Sequence, residues 1–329
     1  MMQLLSFNDP HHSFAAQYGP SLHLMLPKRV LTTGAAGFIG RALCTRLLQA
    51  GAEVHGTSRT DRDASDLPIR WHKGSFEDFE TAQRIMRQVK PDVIYHLSGM
   101  VTGANSVDNV IPTYHSLVTS TVNLLTLATK FDCERIIVVG SSNEPVGPNA
   151  NSPYAAAKWA SSMYSRLFQQ LYNLPIVIAR TFVAYGPGQP SDKLIPYVMS
   201  QLMRGERPKL SSGSWKTDWI YIDDVVEGIL KCATTPGIEG CTIDIGTGEY
   251  ASVRQIVDKV VALLEPPVMP QFGALPDRHS EHTPVADIRY AWEKLNWKAQ
   301  VTLDEGLQRT VEAAARIARM SSLPLAVSH

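Results

Sequence analysis

Neither sign of charge is in excess: lysine plus arginine total 31, aspartate plus glutamate 31, in 329 residues. Such balance creates no long-range field for nucleic acid or an acidic membrane, so neither partner is expected. Cysteine is scarce. Cys44, Cys133, Cys232 and Cys241 contain no CxxC pair, so they offer neither a disulfide framework nor a paired-cysteine metal site. Reduced thiols imply a cytoplasmic setting. No apolar run approaches the roughly 20 residues of a membrane span. Residues 1–24 lack a basic start and an apolar core, so no secretion signal is expected there. Residues 1–27 read as an N-terminal extension, with Met25 a natural start for the fold. His11 and His12 in it suit solvent better than a metal, and no metal site is expected elsewhere. There is no internal repeat and no low-complexity tract. What remains, at 44% hydrophobic and 19% charged, suits one or two globular domains with a large core.

The strongest local pattern is TGAAGFIG, Thr33 to Gly40. It joins a short apolar strand, 29–33, to an apolar helix, 38–50. Gly34, Gly37 and Gly40 lie three apart at that turn. One permits a tight turn, one lets the backbone approach a pyrophosphate, and one lets helix and strand pack closely. The helix start, with Phe38 and Ile39, offers N–H groups and a positive dipole end to phosphates. Taken alone, the pattern also suits a plain turn.

The second pattern is SPYAAAK, Ser152 to Lys158. Serine then proline reads as a helix cap with proline at the first helical position. Tyr154 and Lys158, four apart, share one face of that helix. An ammonium beside a phenol lowers the phenol's pKa from about 10 and makes it a proton donor or acceptor near neutrality. By itself the spacing also suits an ordinary amphipathic helix.

Strands near 29–33, 53–57, 92–97, 135–140 and 175–181 alternate with helices near 38–50, 78–89, 110–130 and 153–172. That alternation predicts an α/β fold, a Rossmann-type doubly wound parallel sheet over residues 28–188. From Gln189 the pattern changes to short strands and helices near 193–204, 223–234, 252–264 and 304–318. Residues 189–329 are therefore expected to be mainly a smaller substrate-binding lobe, with some segments returning to the first domain. Ligands should bind at the carboxyl ends of the parallel strands.

The two motifs, about 120 residues apart, together resemble the extended short-chain dehydrogenase/reductase family, in its nucleotide-sugar epimerase/dehydratase branch. DVIYHL (92–97), IIVVGSSNEPVG (136–147), RTFVAYGPGQ (180–189), DWIYIDDV (218–225) and DIGTG (244–248) extend the resemblance from about Lys28 to about Arg316. It implies an NAD(P)-dependent enzyme acting at carbon 4 of a nucleotide-activated hexose. The 4-ketoreductase and 4-epimerase readings come first. Alternatives are a 4,6-dehydratase, an NADPH reductase of another carbonyl compound, and a non-catalytic dinucleotide sensor. By the same resemblance, Ser142 would hold the substrate oxygen, Tyr154 would transfer the proton, and Lys158 would tune Tyr154 and bind the nicotinamide ribose. Ser141 is read as a structural neighbour. Glu144 occupies the place of the dehydratase base, and Asn143 that of its acid.

For the cofactor, the strand at 53–57 ends in Thr57-Ser58-Arg59 without an acidic residue. Ser58 and Arg59 can meet a 2′-phosphate, so NADP is expected in preference to NAD; the plain alternative is a solvated loop arginine. Ser75 stands where relatives often place an aspartate near the adenine, and Leu97 closes the third strand beside the cofactor. On the substrate side, Val183 replaces a frequent asparagine and Thr217 a frequent arginine. Lys216 and Arg278 remain as candidate phosphate partners. Leu117 replaces a common asparagine. The helices at 110–130 and 153–172 carry more apolar surface than one sheet face needs. The resemblance implies that they pair with their copies in a homodimer.

Overall fold

The computed structural model describes residues 29–102, 104–277 and 284–322. Its centre is a seven-stranded, wholly parallel sheet of order β10-β6-β5-β4-β1-β2-β3. The strands are β1 (Arg29–Thr33), β2 (Glu53–Ser58), β3 (Arg70–Lys73), β4 (Val93–His96), β5 (Arg135–Ser141), β6 (Ile176–Thr181) and β10 (Thr242–Ile245). The order reverses between β1 and β4, which opens a crevice at the carboxyl edge. Both faces are covered, so successive strand residues enter different cores. Val30, Val54 and Ile137 pack on one side, and Leu31, Ile94 and Ile136 on the other.

One face carries α1 (Phe38–Gln49), α7 (Ile222–Thr234) and α9 (Ile288–Leu295). The other carries α2 (Phe79–Val89), α4 (Ser120–Ala128) and α5 (Pro153–Tyr172). Before α4 the chain runs through α3 (Val110–Thr113) and a π-helical stretch, Tyr114–Thr119. Leu117, in that stretch, is buried against Gly99. A Cβ on Gly99 would come within 2.1 Å of Leu117 Cδ2.

Two sheet strands, β3 and β10, and one helix, α9, are not among the elements expected from sequence. β3, RWHK, is a half-exposed edge strand beside β2. β10, α7 and α9 come from beyond residue 189 yet lie on the parallel sheet, because β10 pairs with β6 along Thr242–Ile245 and draws its neighbours with it. The remainder of the C-terminal half forms a lobe at the carboxyl edge. It holds β7 (Val183–Tyr185) paired with β9 (Trp219–Tyr221), β8 (Lys216–Thr217) paired with β11 (Ala251–Ser252), and α6 (Leu194–Met203), α8 (Val253–Leu264) and α10 (Leu303–Ser322).

Three buried carboxylates tie these parts together. Asp218 is fully buried and accepts from Thr247 N at 2.9 Å, Thr247 Oγ1 at 2.6 Å, Gly248 N at 2.8 Å and Ala286 N at 3.3 Å. Asp244 accepts from Arg180 Nε at 2.6 Å and Asp287 N at 3.0 Å. Asp224 accepts from Gln300 N and Val301 N at 3.0 and 2.8 Å. Each satisfies backbone donors that a buried loop would otherwise leave unpaired.

α5 meets the preceding helical run through small hydroxyl residues. Ser161, Ser165, Ser120 and Thr121 are all buried. Their hydroxyls return to carbonyls of their own helices: Ser161 to Ala157, Ser165 to Ser161, Ser120 to Ser116, and Thr121 to Leu117. Ser161 also reaches across to Leu117 O at 3.0 Å. All four cysteines are free thiols, and no described helix is long and apolar enough to cross a membrane.

Candidate active site

The glycine loop is shaped by close approach. Gly34 has φ +70°, and a Cβ there would sit 2.9 Å from Ser98 N. Gly40 is tighter still: its Cβ would be 2.2 Å from Gly34 O. Gly37 N donates to Gly34 O at 2.9 Å, and α1 starts there with no side-chain cap and no acidic residue in its first turn. The first N–H groups of α1 therefore face the crevice edge uncapped, a ready site for a diphosphate. Phe38 and Ile39 are half-buried against the core and fix the helix start.

Next to this loop, Thr33 Oγ1 accepts from Leu97 N, Ser98 N and Ser98 Oγ at 3.0–3.2 Å. With its oxygen so occupied, its proton goes to His96 Nδ1 at 2.8 Å. His96 then donates from Nε2 to Thr121 Oγ1 at 3.1 Å, and Thr121 donates to Leu117 O at 2.6 Å. This network assigns the Nε2–H tautomer. Burial, helped by the nearby Lys158 charge, pushes His96 down to about 3, so it stays neutral.

After β2, Thr60 N donates to Ser58 Oγ at 3.2 Å. Arg59 is exposed and makes no ion pair among the described residues. The nearest acidic residue in sequence, Asp61, pairs with Lys73 at 2.6 Å, and Asp63 accepts from Ser65. Ser75 Oγ accepts from Glu77 N at 3.3 Å before α2.

α5 begins as its sequence demands. Ser152 caps it by accepting from Ala155 N at 3.1 Å, and Pro153 occupies the first turn. Tyr154 and Lys158 lie on its buried face, toward β5. Their electrostatics differ from expectation. Lys158 Nζ donates to Val139 O at 2.7 Å. Burial lowers Lys158 to about 8, while Glu144 pushes it back up. Tyr154 is pushed up to about 12, not down, because burial outweighs its hydrogen bond with Ser141, and Glu144 adds to the rise.

The two serines divide as sequence alone does not reveal. Ser141 partners the Tyr154 phenol and accepts from Asn143 N at 3.2 Å. Ser142 is also buried, with its N–H on Thr181 O at 3.0 Å, and its hydroxyl has no partner among the described residues. Glu144 is 7% exposed and turned inward: Oε1 accepts from Ser141 N at 2.8 Å. Asn143 stays exposed.

On the lobe side, Val183 is half-buried in β7 opposite Trp219, Lys216 is exposed on β8, and Thr217 is fully buried. Arg278 lies outside the described residues. Among the described residues no cluster of histidine, cysteine and carboxylate could hold a metal.

Comparison with known proteins agrees with this geometry. Residues 30–246 match a family model described as the NAD dependent epimerase/dehydratase family. A UDP-glucose 4-epimerase of Mycolicibacterium smegmatis is 30% identical over 86% of this chain and 97% of its own. A probable dTDP-glucose 4,6-dehydratase of Sinorhizobium fredii is 29% identical over 86% and 92%. The crystal structure of a Thermotoga maritima UDP-glucose 4-epimerase with UDP-glucose superposes with a TM-score of 0.81 at 26% identity, covering 88% of this chain and 99% of that one.

The buried imidazole makes stability depend on pH. Its folded pKa is depressed below the unfolded value of about 6.5, so the unfolded chain binds the extra proton. Stability is then lost as pH falls from about 6.5 toward 3, by about 1.4 kcal/mol per pH unit from this group. Urea titrations between pH 7 and 4.5 should show His96→Asn with a slope against pH shallower by about one proton. Equal slopes would remove His96 as the source.

Proposed function

This chain belongs to the NAD dependent epimerase/dehydratase family, NAD-dependent enzymes of the extended short-chain dehydrogenase/reductase type, and on that premise we propose that it performs redox chemistry at carbon 4 of a nucleotide-activated hexose, as a 4-epimerase or 4-ketoreductase. One observation carries the choice over dehydration. Tyr154 is partnered by Ser141, and the next residue, Ser142, is buried with its hydroxyl unpartnered among the described residues, whereas the two residues placed for water loss are an exposed amide, Asn143, and an inward-turned carboxylate, Glu144. An amide cannot protonate a leaving hydroxyl, so proton transfer at the carbon-4 oxygen is the step this set serves.

The uncapped start of α1 and the close-packed glycine turn would hold a dinucleotide diphosphate, with Leu97 and Ser75 beside the cofactor. A nicotinamide dinucleotide bound there would supply or take hydride at the sugar carbon. Ser142 would orient the oxygen on carbon 4. Tyr154 would give or take its proton, and Lys158 would meet the ribose after leaving Val139 O. Lys216 and Arg278 would meet substrate phosphates, with Val183 against the sugar. Residues 28–188, joined by β10, α7 and α9, would form the cofactor domain, with the rest of 189–329 over the substrate. A cytoplasmic setting fits the free thiols.

Tyr154→Phe should lower turnover by about 10²–10⁴-fold with dinucleotide still bound. A panel of UDP-glucose, UDP-glucuronate, dTDP-glucose and GDP-mannose tests the reading. It should yield 4-epimer, or 4-keto reduction with added reduced cofactor, and little 4-keto-6-deoxy sugar. Rapid formation of that sugar from any donor would promote the dehydratase.

Preference for NADP(H) rests on residues alone: a free Arg59 and the absence of a carboxylate at the end of β2. Calorimetry should show NADP(H) binding more tightly than NAD(H). Arg59→Ala should weaken only NADP(H), by about 1.5–3 kcal/mol. Equal affinities in the unmodified protein would reject the preference and favour a 4-epimerase that retains NAD.

A homodimer is proposed from the outer face of α3 and α5. Ile111 and Tyr114 stay exposed there with Met163, Tyr164, Leu167 and Leu171, and the lobe does not cover them. Light scattering at micromolar concentration should give twice the chain mass. A monomer would remove the proposal.

A further inference from the structure

Glu144 stands in the loop beside the catalytic residues, yet its carboxylate is inside the protein. A Cβ on Gly140 would lie 2.7 Å from Glu144 Oε1 and 3.1 Å from Ile178 Cγ2. The carboxylate therefore lies over Gly140, in the furrow between β5 and β6. There it takes the Ser141 N–H at 2.8 Å. The buried Ser162 hydroxyl, one turn beyond Lys158 on α5, faces it and has no hydrogen-bond partner among the described residues.

We propose that Glu144 is a positioning residue: its buried charge keeps Lys158 an ammonium and fixes the Ser141 peptide that supports Tyr154, and it takes no proton from substrate. This rests on the proton-transfer roles of Tyr154 and Lys158 stated above.

The argument starts from Lys158. Its ammonium is buried and its one described hydrogen bond is to a carbonyl, Val139 O, which offers a dipole and no countercharge. An isolated buried ammonium loses its proton readily. The groups that face this region are Lys158, Tyr154 and Ser162 from α5, Arg180 from β6 and neutral His96 from β4. Asp244 from β10 is engaged by Arg180 and the Asp287 N–H. Glu144 is thus the carboxylate set against Lys158, and it opposes the fall that burial imposes on that amine.

The same carboxylate acts mechanically. It holds the Ser141 N–H, while Ser141 Oγ partners Tyr154 and receives Asn143 N. One side chain thereby sets both the charge of Lys158 and the position of the hydroxyl on Tyr154. A base for carbon 5 of a sugar would have to leave this furrow.

The signs can be worked out. Removing the charge but not the shape, as in Glu144→Gln, lowers the pKa of Lys158. Activity that requires the ammonium then disappears at lower pH. Burial raises the carboxyl of Glu144 itself, so its contribution to stability is present below its unfolded pKa and lost as pH rises through the folded one. The amide keeps the shape and can accept the same Ser141 N–H, so at neutral pH it should fold as stably as the parent.

The test reads Lys158 directly, without substrate. The protein is labelled with [ε-13C]lysine, Lys158→Met identifies the resonance, and pH is varied. Glu144→Gln should lower the Lys158 midpoint by about one pH unit. Its Tm at pH 7 should be unchanged, and the alkaline limb of turnover should move the same way. Glu144→Asp, which keeps the charge, should restore much of the midpoint. An unchanged midpoint in Glu144→Gln overturns the proposal. So does loss of turnover at every pH together with loss of carbon-5 proton exchange, which would make Glu144 the base. If the parent protein turned over no nucleotide sugar while the midpoint still fell, the proposed function would fail and the electrostatic role would stand.

Discussion

The contact between the turn after β1 and the end of β4 governs this molecule. Gly34 has no room for a Cβ against Ser98 N, and Thr33 Oγ1 gathers the N–H groups of Leu97 and Ser98. That junction is where the strand order reverses, so it sets the width of the crevice. It also orients α1, whose helical start is pressed onto Gly34 O through Gly40. A side chain at either glycine would push backbone, not a flexible tip, and the turn would open. His96 carries the same constraint across the sheet to Thr121 and so to the helical run against α5.

A second organising principle is the use of buried aspartates as loop anchors. Asp218, Asp224 and Asp244 each hold backbone N–H groups from segments far along the chain. They attach the lobe to the sheet where apolar contact alone would leave loop amides unpaired. Charged acceptors form stronger hydrogen bonds than neutral ones, which suits segments with little regular structure of their own.

Much of this was legible in the sequence, for identifiable reasons. β1, α1 and α5 announced themselves because their signals are local: three glycines at a turn, and serine then proline before a helix. β3 was hidden because Arg70-Trp71-His72-Lys73 is a charged, half-exposed edge that shows no apolar alternation. β10 was recognised as a landmark but not as a sheet strand, since four residues carry little periodicity. The division between Ser141 and Ser142 was invisible, because it depends on which side of a strand end each hydroxyl falls. The pKa of Tyr154 went the other way from the expectation set by its spacing to Lys158. Spacing placed both groups on one face but could not show the ammonium reaching for Val139 O. For Glu144 a signal did exist: Gly140, inside an otherwise branched apolar strand, marks space reserved for another atom.

The hydroxyl-lined seam beside α5 has a consequence for how that helix is held. Ser165 satisfies itself on its own helix, whereas Ser161 also reaches Leu117 O across the seam, where Leu117 and Val118 pack against Tyr154 and Ala157. The helix is tied at the Ser152 cap, to Val139 O through Lys158, to Leu117 O through Ser161 and to Thr242 through Arg166. Ser165 is eleven residues from Tyr154, about 16 Å along the axis. An added methyl group at this fully buried position would press the helix away from its neighbours, so the setting of Tyr154 is open to adjustment from a residue about three turns away.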